Sequence, residues 1–319
     1  MSLAPFRTAP RYVQKPWGGG PGLAASLGRE VPPETGEAWL ISDVPGSESE
    51  VLDGPYAGHS LREVIEQQAG PLLGQGHRFP LLIKLLEIRG RLSVQVHPDA
   101  AVAQALGDGE RGKSEAWYLV DVGEQGRVWQ GFERPVDPSE LGPLSVSGAI
   151  AERLRSFVPE AGEAVEILPG TFHTAEDVLV LEVQETSDVT YRVYDWGRTD
   201  RTLHLEQAAT CLDQLPANDA VRRVHQGEPT WPVAPRSPFT FEVWQLGPDE
   251  ERALPAPRCA GALVVLSGAL TLRGGGPASL AQGDALVIPA ASSGLTLHSR
   301  GSARVVYANA LPAGSRGPE

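Results

Sequence analysis

Residues 91–99 read Arg91-Leu92-Ser93-Val94-Gln95-Val96-His97-Pro98-Asp99, alternating Leu92, Val94 and Val96 with Ser93, Gln95 and His97. Successive side chains of a β-strand point to opposite sides, so this stretch predicts one apolar face and one face carrying a hydroxyl, an amide and an imidazole. A merely solvated strand face more usually carries Lys, Glu or Thr. Gln-x-His closed by a strand-ending proline instead aims two ligand-type side chains at one point. A single strand histidine is more often a hydrogen-bonded core or surface residue, so its partners must come from elsewhere in the chain.

Upstream, residues 79–88 are apolar on both faces except at Lys84 and Glu87, the pattern of a buried strand, with Lys84 on the face of Leu82 and Leu86. Ser60 with Glu63 three residues on forms a capping box and predicts a helix over 60–70, stopped by Gly70-Pro71. Residues 36–43 read as a short strand, with Trp17 and Trp39 as packing residues. Downstream, Asp99 caps a short helix through Leu106, a polar loop spans 107–112, and Glu115 opens a strand with Lys113 on the same side. The spacing of Ile150, Leu154 and Phe157 predicts a surface helix over 147–158.

The chain then returns to strands over 164–173, 178–185 and 189–196. Val178, Val180, Glu182 and Gln184 share one face of the second, and Thr190, Arg192, Tyr194 and Trp196 one face of the third. A helix is expected over 205–212 and a proline-rich linker over 227–238. The β-patterned unit after it carries no His, Glu or Cys cluster, and His298 stands alone there.

At 319 residues the chain has room for two ordinary domains. A net charge of −13 argues against a nucleic-acid or anionic-membrane surface, although a few converging Lys and Arg residues still suit a small anion. No apolar run reaches the roughly 20 residues of a membrane helix, and residues 1–20 lack a signal-peptide pattern. The expectation is a cytoplasmic protein, monomeric or a small homo-oligomer. Cys211 and Cys259 fit no zinc or redox spacing and are expected as reduced thiols. The 36 glycines and 28 prolines are spread along the chain, which favours an all-β architecture of short elements and tight turns.

Gln95, His97, Glu115 and His173 stand at the ends or on the polar faces of separate predicted strands. Two imidazoles, a carboxylate and a weak amide donor without a thiolate suit one Zn²⁺ in a catalytic site. His59, His77, His204, His225 and His298 read as ordinary surface or core residues.

The segments Ser-Val-Gln-Val-His-Pro-Asp at 93–99, Gly-Lys-Ser-Glu-Ala-Trp-Tyr at 112–118, Pro-Gly-Thr-Phe-His at 169–173 and Ser-Asp-Val-Thr-Tyr-Arg-Val-Tyr-Asp-Trp-Gly-Arg at 187–198 together resemble the type I phosphomannose isomerases, in their short bacterial form. The resemblance implies zinc-dependent interconversion of mannose 6-phosphate and fructose 6-phosphate. It also implies two cupin-type (jelly-roll) antiparallel barrels: a metal-bearing catalytic domain over 1–226 and a degenerate cupin domain over 227–319. On this resemblance the zinc ligands are Gln95, His97, Glu115 and His173, the active-site arginine is Arg192, and Lys84, Ser93 and Lys113 line the pocket. Two departures stand out. The proline before His173 is shifted by one, predicting an altered turn, and residues 174–177 lack the family's loop glycines.

Aldose–ketose isomerisation moves a proton between C1 and C2 through an enediol. The candidate bases are Glu182, Lys84 or a water on the metal. Arg192 suits the phosphate or the developing oxyanion; the competing role is an ion pair with Asp195 or Glu182. Two other functions compete: a non-catalytic sugar-phosphate-binding cupin, and an iron or manganese cupin oxygenase.

Overall fold

The computed structural model describes residues 3–108, 112–212, 221–223 and 230–311. Its strands form antiparallel sheets of ten, six and four strands. The helices between them are short, the longest being Leu61–Leu73, so the predominance of β-structure expected from the composition holds. Among the described residues no helix is long and apolar enough to cross a membrane.

The period of two along the long strands builds the layers. In Leu81–Arg91, Leu81, Ile83 and Leu85 face one core, shared with Phe241, Val264, Val287 and Val306 of the six-stranded sheet. Leu86 and Ile88 face the opposite way, into a second core with Trp117, Val178 and Val180. The six-stranded sheet repeats this logic, since Leu263, Val265, Leu286 and Val305 turn to a third core with Leu270, Leu280 and Leu297 of the four-stranded sheet. It is therefore the middle layer. Each buried Leu, Ile or Val contributes about 1.5–3 kcal/mol relative to exposure.

The ten-stranded sheet positions the site. Its path runs Val221–Arg223, Ala164–Ile167, Glu115–Phe132, His173–Glu185, Leu81–Arg91, Thr35–Ile41 and Arg11–Gln14. The short strand Val94–Val96 joins it by pairing with His173–Glu185 on one side and Tyr191–Tyr194 on the other. The first strand of the chain, Phe6–Arg7, instead pairs with Ala285–Ile288 in the six-stranded sheet.

Several local expectations hold. The Ser60–Glu63 capping box forms, and the Asp99 side chain caps Ala100–Leu106 by accepting from the Val102 N–H. Both cysteines are free and buried. Others are corrected. The helix from Leu61 runs past Gly70-Pro71 to Leu73, broken instead at Gln68; Pro71 then lies in the first turn of the continuing piece, where its missing N–H costs little. The helix expected over 147–158 is a short helix Ile150–Arg153 followed by an edge strand Leu154–Phe157. Pairing with Glu115–Phe132 satisfies that strand's backbone, which outweighs local helical spacing. Strand Val94–Val96 is shorter than the alternation suggests, and Leu92 packs with Trp17 and Trp117, not with Val94 and Val96. Of the expected loop over 107–112, residues 109–111 lie outside the described residues, as do 227–229 of the expected linker and His225. Thr230–Pro232 is a strand on Phe239–Leu246.

Candidate functional site

Register brings the distant motifs together. Gln95 is paired with His173 on one side and Arg192 on the other, so the ligand-type face of the opening strand meets both neighbours directly. The turn before His173 keeps its grip despite the shifted proline: Gly170 adopts φ +82°, its N–H donates to the His97 carbonyl at 2.8 Å, and Thr171 N–H donates to the Leu168 carbonyl. Residues 174–177, expected as a loop, lie inside the strand His173–Glu185. Lys113 N–H donates to the Pro98 carbonyl, and Ser114 N–H to Glu185 Oε2 at 2.9 Å, fixing the entry to Glu115. The sheet curls enough that the His173 ring lies 5.5 Å from Trp117, which is in register with Glu182 near the far end of the same strand.

His97, Glu115 and His173 are completely buried, and their ligand atoms all lie within 4.8 Å of one another. His97 Nε2 is 3.3 Å from Glu115 Oε2, and His173 Nε2 is 3.1 Å from Glu115 Oε1. Each imidazole engages a backbone carbonyl through Nδ1, His97 that of Val189 and His173 that of Thr171, both at 2.9 Å. In the neutral ring the Nδ1 proton is then committed, and each Nε2 presents a lone pair to an anionic oxygen. Such an arrangement repels itself unless a cation sits among the donors; Lys113 Nζ, 3.3 Å from His97 Nε2 and 2.7 Å from Glu115 Oε2, meets one side of it, while on the other His173 Nε2 and Glu115 Oε1 face each other at 3.1 Å. Both Glu115 oxygens are buried without an aligned hydrogen bond; Lys113 Nζ forms an ion pair at 2.7 Å to Oε2 outside hydrogen-bond geometry. Gln95 borders the cluster: its Nε2 lies 3.2 Å from His173 Nε2, while its Oε1 accepts from Ser93 Oγ at 3.4 Å. The donor set and its orphaned carboxylate fit a divalent metal.

Burial pushes the His97 pKa down to about 4, aided by the Lys113 charge and opposed by Glu115, so the ring is neutral at physiological pH. Burial alone would raise the Glu115 pKa; the neighbouring Lys113 charge leads the interactions that outweigh it and hold the carboxyl well below the usual range.

Beside this cluster lies a cavity of about 220 Å³, and Lys84, Ser93, Gln95, Lys113, Glu182 and Arg192 all line it. Lys84 Nζ is 3.5 Å from Glu182 Oε1 and 3.6 Å from Asp188 Oδ1. Burial disfavours the Lys84 charge, but Glu182, Glu37 and Asp188 outweigh it and raise its pKa, so the side chain stays an ammonium. Burial and the nearby Glu115 raise the Glu182 pKa against the pull of Lys113 and Lys84. Arg192 donates through Nη1 to the Thr202 carbonyl at 2.8 Å, and its Nε is buried without a partner. The expected alternative, pairing of Arg192 with Asp195, is not what the structure shows. Arg198 Nε and Arg201 Nε donate to Asp195 at 3.1 and 2.8 Å and occupy it.

The cavity also takes in Trp17, expected as packing only, together with Lys15, Glu37, Asp188, Thr190 and Arg201. The Lys15-Pro16-Trp17 segment offers a cation and an indole in sequence, but only the tertiary structure shows that it borders the cavity. Asp195 holds Arg201 at the cavity wall, and this arrangement has a pH signature. Burial would raise the Asp195 pKa, yet the hydrogen bonds from Arg198 and Arg201 hold it below its ordinary value of 3.8. The unfolded chain therefore takes up the proton first, and the stability Asp195 contributes is complete above about pH 4 and lost as pH falls through the folded-state value. Asp195→Asn is expected to cost about 3 kcal/mol at pH 7, and less at pH 3. Urea unfolding at the two pH values checks this, and an equal cost at both would contradict it.

Fold and site define an antiparallel-β protein with a buried metal-type cluster beside a cation-lined cavity. A family model described as phosphomannose isomerase type I, catalytic domain, matches residues 6–116. The mannose-6-phosphate isomerase of Streptococcus mutans is 34% identical over 287 residues, covering 86% of this chain and 89% of the relative. ManA of Bacillus subtilis, also a mannose-6-phosphate isomerase, is 34% identical and covers 70% and 73%. The solved structure of the Bacillus subtilis mannose 6-phosphate isomerase matches with a TM-score of 0.83 at 30% identity, over 96% of this chain and 100% of that one. A mannose 6-phosphate isomerase solved with zinc and yttrium shares the fold, with a TM-score of 0.75 at 18% identity over 97% and 100% of the two chains. The chain belongs to the type I mannose-6-phosphate isomerase family.

Proposed function

We propose that this protein interconverts mannose 6-phosphate and fructose 6-phosphate through an enediol, with Zn²⁺ held by His97, Glu115, His173 and Gln95. The observation that carries this is the convergence of two imidazole Nε2 atoms on a buried carboxylate that has no aligned hydrogen bond, beside a cavity rich in cations. Nitrogen and oxygen donors without thiolate suit zinc, and a relative of the same fold was solved with it. A divalent cation there supplies Lewis acidity toward charge developing on the sugar oxygens.

Arg192, always charged and lining the cavity, with a buried Nε that has no partner, binds the phosphate or the developing oxyanion. Glu182 Oε1 accepts no hydrogen bond and its pKa is raised, which suits it to take the proton from C2 and return it to C1. Lys84, held as an ammonium, is the cation beside that proton transfer and not its base. Ser93 and Lys113 complete the wall. This chemistry belongs to a first cupin barrel over 1–226, with a second, metal-free barrel over 227–319. In support, the ten-stranded sheet draws its strands from Arg11–Gln14 to Val221–Arg223, while the other two draw theirs from Thr230–Pro232 onward apart from Phe6–Arg7. Among the described residues the cluster of His97, Glu115 and His173 is the one metal-type group.

The test is a coupled assay of mannose 6-phosphate conversion on protein stripped with chelator and then restored with Zn²⁺. Activity is expected to vanish on stripping and return with zinc. A folded, zinc-loaded protein without conversion would sink the isomerase reading and favour a sugar-phosphate-binding module; oxygen consumption with Fe²⁺ alone would favour an oxygenase.

A further inference from the structure

Two indoles bracket the central charge pair of the cavity. Across four strands Trp39 faces Lys84, Lys84 faces Glu182, and Glu182 faces Trp117, so the four side chains make one row on one face of the sheet. At the anionic end Trp117 Nε1 donates to Glu182 Oε2 at 2.8 Å. At the cationic end Lys84 Nζ lies 4.6 Å over the Trp39 ring. Trp39 is in turn fixed, because its Nε1 donates to Glu37 Oε2 at 2.7 Å while Glu37 Oε1 meets Lys15 Nζ at 3.2 Å.

The carboxylates that neutralise Lys84 stand 3.5 and 3.6 Å away, beyond the length of a tight charge-assisted hydrogen bond. They set the charge state without fixing the geometry. A lysine side chain carries about 2 kcal/mol of rotamer entropy, and a desolvated cation–π contact contributes about as much. The indole face, itself locked in rotation by Glu37, therefore offsets that entropy and confines the ammonium from the Trp39 side.

We propose that Trp39, anchored by Glu37, is a positioning residue that holds the Lys84 ammonium beside Glu182 for proton transfer. The proposal rests on the isomerase reading above. Its test is a double-mutant cycle of wild type, Trp39→Leu, Lys84→Ala and the double variant, with Trp39→Phe added, all zinc-loaded and checked for folding by thermal melting. Trp39→Leu is expected to lower kcat about tenfold with KM changed less than about twofold, since small displacements at a reacting centre are costly. Trp39→Phe, which keeps an aromatic face, stays within about threefold of wild type. In the Lys84→Ala background Trp39→Leu adds less than about twofold. Multiplicative losses in the double variant would overturn the proposal.

Proton NMR keeps the two ideas separable. The Lys84 ε-methylene protons, assigned by their loss in Lys84→Ala, are expected upfield from the Trp39 ring current in wild type and Trp39→Phe, and at ordinary shifts in Trp39→Leu. An unchanged shift in folded Trp39→Leu overturns the positioning role whatever the activity. Absence of wild-type conversion with the shift pattern intact overturns only the isomerase reading.

Discussion

Glu115→Gln is expected to abolish measurable isomerisation and metal retention together. The amide keeps the shape of the side chain but removes the one anion facing His97 and His173, so the cation that balances the site loses its charged ligand. Removing one partner of a buried charge cluster costs about 3–5 kcal/mol, a factor of roughly 10²–10⁴ in affinity. The loss is compounded because Lys113, itself only 3% exposed, is left without its counterion. His97→Ala should behave alike in activity, while sparing the ion pair of Lys113 with Glu115. Metal content after dialysis, measured beside the coupled assay, checks both. A variant that keeps one metal per chain and near-normal turnover would remove Glu115 from the ligand set.

Arg192→Ala is expected to produce the second large effect, a fall of about 10²–10³ in kcat/KM from lost charge-assisted hydrogen bonds. The partition between constants identifies the partner: a loss carried by KM points to the phosphate, one carried by kcat to charge that develops only during reaction. Arg192→Lys is expected to restore little, because an ammonium cannot reproduce the planar fork. Activity within twofold of wild type in Arg192→Ala would place Arg192 outside the chemistry. The structure favours a role because Asp195, the obvious partner in sequence, is already taken by Arg198 and Arg201.

Much of the site was legible because strand periodicity is local. Alternation put Gln95 and His97 on one face, and the same period put Glu182 with Val178 and Val180, which the layering of the cores reproduces. The caps at Ser60 and Asp99 were legible for the same reason, since a helix terminus is satisfied within one turn of sequence. Where a segment's state depended on a distant partner, local pattern misled. Residues 154–157 carry helical spacing, yet the edge of Glu115–Phe132 draws them into a strand. Residues 174–177 look like a loop, yet lie within a long strand paired on both sides.

The sequence by itself determined the inventory: which residue types can bind a metal, which strands carry them inward, and a predominance of short β-elements set by dispersed glycine and proline. Only the tertiary structure decided their meeting. Register set Gln95 between His173 and Arg192, carbonyls of Val189 and Thr171 fixed which imidazole nitrogens face Glu115, and cross-sheet pairing made Trp39 a neighbour of Lys84 and not merely filler. The physical reason is that side-chain period and capping act over a few residues, whereas strand register and hydrogen-bonded tautomers depend on backbone groups far apart in the chain.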